Sequence, residues 1–115
     1  SGKMLAGTWT VTEVNGREMP ADSLRAFTLS FEPADSTFSC ETGCNVINGK
    51  YVSGYTDLKL DPTMSTRMMC DSLGNAIESD FIEVIPQITS FGQLASGNIG
   101  LYNSTNDMLM ILAAQ

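Results

Sequence analysis

Short stretches of alternating apolar and polar residues run along most of the chain, and this period of two is typical of antiparallel β-strands. In the first stretch, Thr8 to Val14, the side chains of Trp9 and Val11 share one face, and Asn15-Gly16 closes the strand. Further strands are predicted at residues 27–31, 37–40, 51–55, 56–60, 88–91, 98–102 and 108–113.

Glycine and proline mark the expected breaks between these strands. Gly43 and Gly49 bracket a turn-rich stretch, and residues 51–60 form either two strands broken near Gly54 or one bent strand. Pro33 and Pro62 are expected to end the runs that precede them, because proline cannot donate a ladder hydrogen bond.

One segment changes to a helical period. The apolar residues that recur at this spacing are Leu73, Ile77, Phe81, Val84, Ile85 and Ile88. We predict a helix over residues 75–85, with Asn75 and Glu78 as a capping box and with Pro86 ending or kinking it. A brief helical turn is also expected at residues 21–26. The pattern predicts a mainly β (α+β) fold, in which a small, strongly bent antiparallel sheet or barrel wraps around the helix's apolar face.

Length and composition fit one domain over residues 1–115. A chain of 115 residues with 43% hydrophobic side chains can bury one ordinary core. No apolar run approaches the roughly 20 residues that span a bilayer, so no transmembrane segment is expected. The chain opens on Ser1-Gly2 and not on Met, so we interpret these residues as a remnant in front of a trimmed mature domain and expect an export segment to have been lost.

The charge narrows the classes of partner. Six Lys and Arg against thirteen Asp and Glu give a net charge of −7, which argues against nucleic acid and against anionic lipid, because both require clustered cations. No His is present to serve as a base or metal ligand, and no phosphate loop or nucleophile motif occurs. We therefore expect no enzymatic activity, no metal and no cofactor.

Cys40, Cys44 and Cys70 are the chemically distinctive residues. Cys40 and Cys44 could pair only across a tight turn, whereas a Cys44–Cys70 disulfide would close a moderate loop. We favour Cys44–Cys70, with Cys40 as a buried free thiol. Two alternatives remain: three reduced core thiols, which pack as small hydrophobes, and a three-thiolate zinc site.

Two cysteine-containing motifs give the chain a resemblance to a known family, the META (HslJ-like) domain. Gly43-Cys44-Asn45 followed by Gly49-Lys50-Tyr51 resembles the family's GCN-x₃-G-x-Y motif, and Thr66 to Cys70 resembles its TRM-x-C motif. The opening, Leu5 to Gly16, is similar to the start of the domain. Glu78 and Phe81 fit its helix, and Leu101 with residues 108–112 fit its closing hairpin. The positions that match the structural motif are Gly43, Cys44, Asn45, Gly49, Tyr51, Thr66, Arg67, Met68, Cys70 and Glu78.

The resemblance implies a lipocalin-like, barrel-related fold with one helix. It also implies a bacterial envelope protein that is periplasmic, secreted or attached to the outer membrane, in a family linked to heat shock and antibiotic tolerance. The leading hypothesis is a non-catalytic accessory domain, monomeric, that binds an envelope protein or other component through a sheet face or loop rim. The alternative is a small-molecule or lipid binder with an apolar pocket inside the barrel.

Individual residues carry more specific expectations. Gly43 permits a backbone conformation that a Cβ would penalise, and the side-chain amide of Asn45 bonds its own turn. Arg67 pairs with Glu78, since cations are scarce. The neighbouring methionines are expected to pack in the core, which is the commoner use of Met, although Met also lines adaptable binding surfaces. These methionines are Met64, Met68 and Met69.

Overall fold

The computed structural model describes residues 5–21 and 24–115, and strands dominate both ranges. The strands are β1 (Gly7–Val14), β2 (Arg17–Glu18), β3 (Phe27–Glu32), β4 (Thr37–Thr42), β5 (Val46–Ser53), β6 (Leu58–Ser65), β7 (Ser90–Gln93), β8 (Ile99–Tyr102) and β9 (Met108–Ala114). They form one antiparallel sheet in the order β6-β5-β4-β3-β1-β9-β8-β7, with β2 paired to β1. The sheet curls strongly into a half-barrel, as the alternation of residues predicts.

Helix α1 (Ser72–Val84) occupies the concave side of the sheet. Its apolar face, which includes Ile77, Phe81 and Val84, is fully buried together with the inward-facing residues of the strands. A β-bulge in β1 between Val11 and Glu13 shifts the alternation by one residue, so that both Val11 and Val14 reach the core. The interior of the half-barrel is therefore filled by protein side chains.

The helix boundaries differ from the prediction at the first turn. The N-cap is Asp71, whose carboxylate accepts a 2.7 Å hydrogen bond from the Gly74 N–H, so the expected capping box at Asn75 and Glu78 is wrong. This bond, together with the 2.6 Å ion pair to Arg25, lowers the pKa of Asp71. The end matches the expectation: α1 stops before Pro86, which lies in a 3-10 turn over Ile85–Gln87.

Gly49 and Pro62, residues of types that usually interrupt strands, both lie within strands here. The stretch expected to be turn-rich is strand β5 from Val46 onward, and it passes through Gly49, where a Cβ would overlap the Asp61 carbonyl of β6. Pro62 does not end β6, which continues to Ser65. Proline is tolerated there because β6 is a terminal strand with a bulge at this point. The helical turn expected at residues 21–26 lies partly outside the described residues.

The half-barrel is open between its two terminal strands. Just before β6, Asp57 bridges Ser90 at the start of β7, and the Leu58 N–H donates to the Thr89 carbonyl at 3.1 Å. Beyond this point the second half of β6, from Asp61 to Ser65, is exposed along its length. The 3-10 turn that follows α1 lies against β6, and this junction contains the candidate site.

Candidate functional site

The hairpin tip between β4 and β5 is built by Thr42, Gly43, Cys44 and Asn45. The Thr42 N–H donates to the Asn45 carbonyl at 2.9 Å, and the Asn45 N–H donates to the Thr42 hydroxyl at 3.1 Å. Gly43 has a φ of +89°, and a Cβ there would collide with the Phe27 ring. The turn is therefore closed by Thr42, which leaves the Asn45 side chain available for other partners.

Asn45 is the centre of a polar network between this tip and the segment that follows β6. Its side chain is 3% exposed. Its Oδ1 accepts hydrogen bonds from the Met68 N–H at 2.7 Å and from the Thr66 hydroxyl at 2.8 Å. Its Nδ2 donates to the Met68 carbonyl at 3.2 Å and to Glu78 Oε2 at 3.1 Å. Both ends of the amide are satisfied, and the expectation that it bonds its own turn is wrong.

Glu78 connects this network to helix α1. Its second oxygen, Oε1, accepts a 2.9 Å hydrogen bond from the hydroxyl of the fully buried Thr42. Two neutral donors therefore hold the carboxylate in place. Within residues 5–21 and 24–115, Arg67 forms no ion pair with Glu78 or another acid, so that predicted pair is wrong.

A disulfide between Cys44 and Cys70 ties the same segment to the hairpin tip, with the two Cα atoms 6.1 Å apart. Two of the three thiols are consumed by this bond, which excludes both the all-reduced state and the three-thiolate zinc site. Cys40 is a free, fully buried thiol on β4. Burial, together with the negative charge of Glu41, raises the pKa of Cys40 far above its ordinary value, so the thiol stays protonated and inert.

The two remaining motif positions, Gly49 and Tyr51, lie on β5 and contribute to the packing of the sheet and core. Tyr51 is buried, and its ring meets Phe31 edge to face at 5.0 Å between centroids. Burial raises the Tyr51 pKa, and the charge of Glu32 adds to the effect. Gly49 allows β6 to approach closely. These two positions shape the sheet next to the site and do not line it.

A groove of about 730 Å³ lies between β6 and α1 and collects most of the other motif positions. We call it the β6–α1 groove. Residues 62–68 form one side, Ile82, Ile85 and Pro86 form the other, and Asn45, Ile47 and Glu78 form its base. Apolar walls with a few polar groups are typical of binding sites, and the volume is in the usual range for them.

The methionines lie on this surface and not in the core. Met64 is 69% exposed, Met68 is 66% exposed and Met69 is 99% exposed, so the core prediction is wrong. Met64 and Met68 line the groove, facing Ile82, which is 57% exposed. Soft, unbranched methionines beside an exposed Ile form an adaptable apolar surface. The sequence analysis did not single out Ile82, because it is not among the apolar residues that recur at helical spacing.

The polar groups of the groove are few, and most of them already have partners within the fold. The polar groups at its base bond each other, and Arg67 supplies a cationic group at its side. In the part of the chain that the structure describes, no three His, Cys, Asp or Glu side chains gather closely enough to hold a metal ion. None of the helices in the two described ranges combines the length and apolar character needed to cross a bilayer.

Comparison with known proteins agrees with this architecture, a curled antiparallel half-barrel around one helix. The chain belongs to the META domain family, whose match covers residues 3–115. No curated protein matches the chain.

Three solved structures share the fold. An NMR structure of a protein from Burkholderia xenovorans is 22% identical, with a TM-score of 0.70 over 98% of this chain and 86% of that one. A second NMR structure is 20% identical, with a TM-score of 0.70 over 96% of this chain and 91% of that one. A crystal structure of a DUF4847 family protein from Bacteroides vulgatus is 18% identical, with a TM-score of 0.64 over 97% and 94% of the two chains.

Proposed function

We propose that this protein is a non-catalytic accessory domain of the bacterial cell envelope that binds an envelope component in the β6–α1 groove. The observation that carries the proposal is the placement of Met64, Met68 and Ile82. Each is more than half exposed, and all three line one groove. Exposed apolar side chains grouped in this way are characteristic of interaction surfaces, whereas scattered ones are ordinary.

The support beneath the groove strengthens the proposal. The disulfide and the Asn45 network hold the segment that forms one side of the groove against the rest of the fold. Such preorganisation favours binding, because little backbone freedom is lost when the partner arrives. The site presents no activated nucleophile and no acid–base pair, so binding without catalysis is the function that its chemistry supports.

The disulfide also supports an oxidising compartment, since such bonds persist in secreted and periplasmic proteins. We place the protein in the periplasm, at the outer membrane or outside the cell, as a monomer. Because the family is linked to heat shock and antibiotic tolerance, the proposal extends to a role in stress or antibiotic tolerance. The acidic net charge favours protein or neutral components over nucleic acid.

The alternative, a small ligand or lipid enclosed in the barrel, has less support. The space that such a ligand would use is taken by α1, whose Ile77, Phe81 and Val84 are 0% exposed. An apolar ligand would have to displace packed side chains, which is costly in a close-packed interior. The open groove is the better candidate.

Site-specific photo-crosslinking in the native host tests the proposal. A photoreactive residue at Ile82 lies in the groove, and one at Val52 is the matched control, because Val52 is 74% exposed and lies on β5 outside the groove. We expect a discrete adduct from position 82 and none from position 52. No adduct at position 82, or the same adducts at both positions, would refute groove binding.

A further inference from the structure

One side of the β6–α1 groove is the free edge of the sheet. Every residue from Pro62 to Met68 lines the groove, whereas a strand that presented one face would contribute only alternate residues. β6 is also the last strand on its side of the sheet, paired along its length with β5. The groove is therefore bounded by backbone as well as by side chains.

The direction of the backbone groups follows from two hydrogen bonds. The Thr66 N–H donates to the Val46 carbonyl of β5 at 3.0 Å, and the Met68 N–H donates to Asn45 at 2.7 Å. Successive residues of an extended segment point their backbone groups to opposite sides. The N–H and C=O groups of Ser65, the last residue of β6, therefore point away from β5, and the bonds of Thr66 and Met68 put Arg67 at the same phase of this alternation.

Resting on the proposed function, we propose that the occupant is an extended peptide segment of a partner protein, which adds a strand to β6 at Ser65 and Arg67. Its apolar side chains contact Met64, Met68 and Ile82, and an acidic side chain pairs with Arg67. A strand added to a free edge gains main-chain hydrogen bonds, and alternate side chains give specificity. An acyl chain would instead cover these backbone groups without bonding them, which is unfavourable because each group would lose its hydrogen bonds to water.

Charge complementarity selects the acidic side chain. Arg17 pairs with Asp80 at 2.7 Å and Arg25 pairs with Asp71 at 2.6 Å. Within the two described ranges, Arg67 has no such partner, although it lines the groove. A guanidinium group forms a fork that matches a carboxylate, so an acidic residue in the peptide is the natural counterpart.

Pro62 limits where pairing can begin. It has no N–H to donate, and the bulge beside it, opposite Asn48 and Gly49, interrupts the ladder. Such features blunt an edge against indiscriminate pairing with further copies of the chain. The docking segment is therefore short, with its main-chain bonds concentrated at Ser65 and Arg67.

Selection from a phage-displayed library of random dodecapeptides tests the inference on the intact, disulfide-bonded protein. We expect enrichment of peptides in which apolar residues alternate and an acidic residue recurs. Ser65→Pro removes the outward N–H without removing a ladder bond, and it should weaken the best peptide about fivefold or more. Ser65→Ala is the matched control and should bind as the parent does, with both variants keeping the parent's melting temperature. Arg67→Glu should select peptides with a basic residue at the acidic position.

Each contrary result has a definite meaning. Enriched peptides with helical spacing, equal binding to Ser65→Pro, or no enrichment above an empty support would overturn strand addition. An adduct from position 82 together with failed peptide selection would leave groove binding standing and refute only the extended peptide. Successful selection without any adduct in the host would refute the proposed envelope function and leave the docking edge intact.

Discussion

Replacing Asn45 by alanine removes the centre of the polar network and should cost the protein much of its stability. Four side-chain hydrogen bonds to nitrogen or oxygen partners are lost: one from the Met68 N–H, one to the Met68 carbonyl, one from Thr66 and one to Glu78. At about 1 kcal/mol each, the total is about 4 kcal/mol. Because Thr66 and Met68 are exposed and water can replace part of their bonding, we expect a loss of about 3 kcal/mol.

The matched control is Asn48→Ala. Asn48 lies on β5, close to Asn45 in the chain, and is half-buried, but its side chain makes no hydrogen bond within residues 5–21 and 24–115. We expect a change in the free energy of unfolding within about 0.5 kcal/mol for this variant. Urea unfolding of the oxidised protein gives both values, and equal slopes would show that the denatured states are comparable.

The thermal midpoint offers an independent measure of the same change. For a chain of this size, about 3 kcal/mol corresponds to a fall in Tm of roughly 10 °C. If Asn45→Ala and Asn48→Ala differ by less than about 0.5 kcal/mol, the network does not stabilise the fold as argued. The hydrogen bonds would then merely replace equivalent bonds to water.

Three further outcomes follow from the cysteines and the helix cap. With a sequence separation of 26, replacing both Cys44 and Cys70 by serine should lower the free energy of unfolding by about 3.5 kcal/mol in the loop-closure treatment; urea titration measures this loss, and a negligible change would contradict the treatment. Cys40 should not react with dithiodipyridine at pH 8 in the folded protein and should give one equivalent of thiol in denaturant; reaction in the folded state would contradict its burial. Because folding lowers the pKa of Asp71 below its ordinary 3.8, the carboxylate stabilises the fold above that pH and stops doing so as the pH falls through the folded value. The Tm of Asp71→Asn should thus be lower than the parent's at pH 7, and the difference should shrink as the pH falls through the folded value; a pH-independent difference would count against this assignment.

The strand pattern was readable from the sequence because the sheet has one buried and one solvated face. Alternation in β1 and β3 follows directly from that arrangement, and the helical period of α1 follows from its single apolar face. Val46 to Gly49 was misjudged as a turn because local rules treat glycine as a breaker. In the fold, Gly49 is required by the close approach of β6, which is a contact between distant parts of the chain.

The candidate site was only partly predictable for the same reason. The motif positions Asn45 and Glu78 could be named from the sequence, but their partnership could not, because it depends on how α1 crosses the hairpin tip. Composition favours buried methionines, yet Met64 and Met68 follow β6 to the open side of the half-barrel, where no strand covers them. These methionines are exposed because β6 is the terminal strand of the sheet, and the local sequence does not indicate which strand will be terminal.

Rigid backbone and soft side chains have separate roles at this groove. The disulfide, Asn45 and Thr66 fix the backbone of the segment after β6, so that the outward groups of Ser65 and Arg67 hold one direction. Met64 and the other apolar side chains above this backbone remain exposed and adaptable. In the proposed docking, a partner strand would therefore meet main-chain groups that are already ordered, and the entropy lost would fall on side chains, at about 0.5–1.5 kcal/mol for each one immobilised. The proposed main-chain pairing would then tolerate variation in the partner's apolar residues, while the charge at Arg67 would set the partner's register.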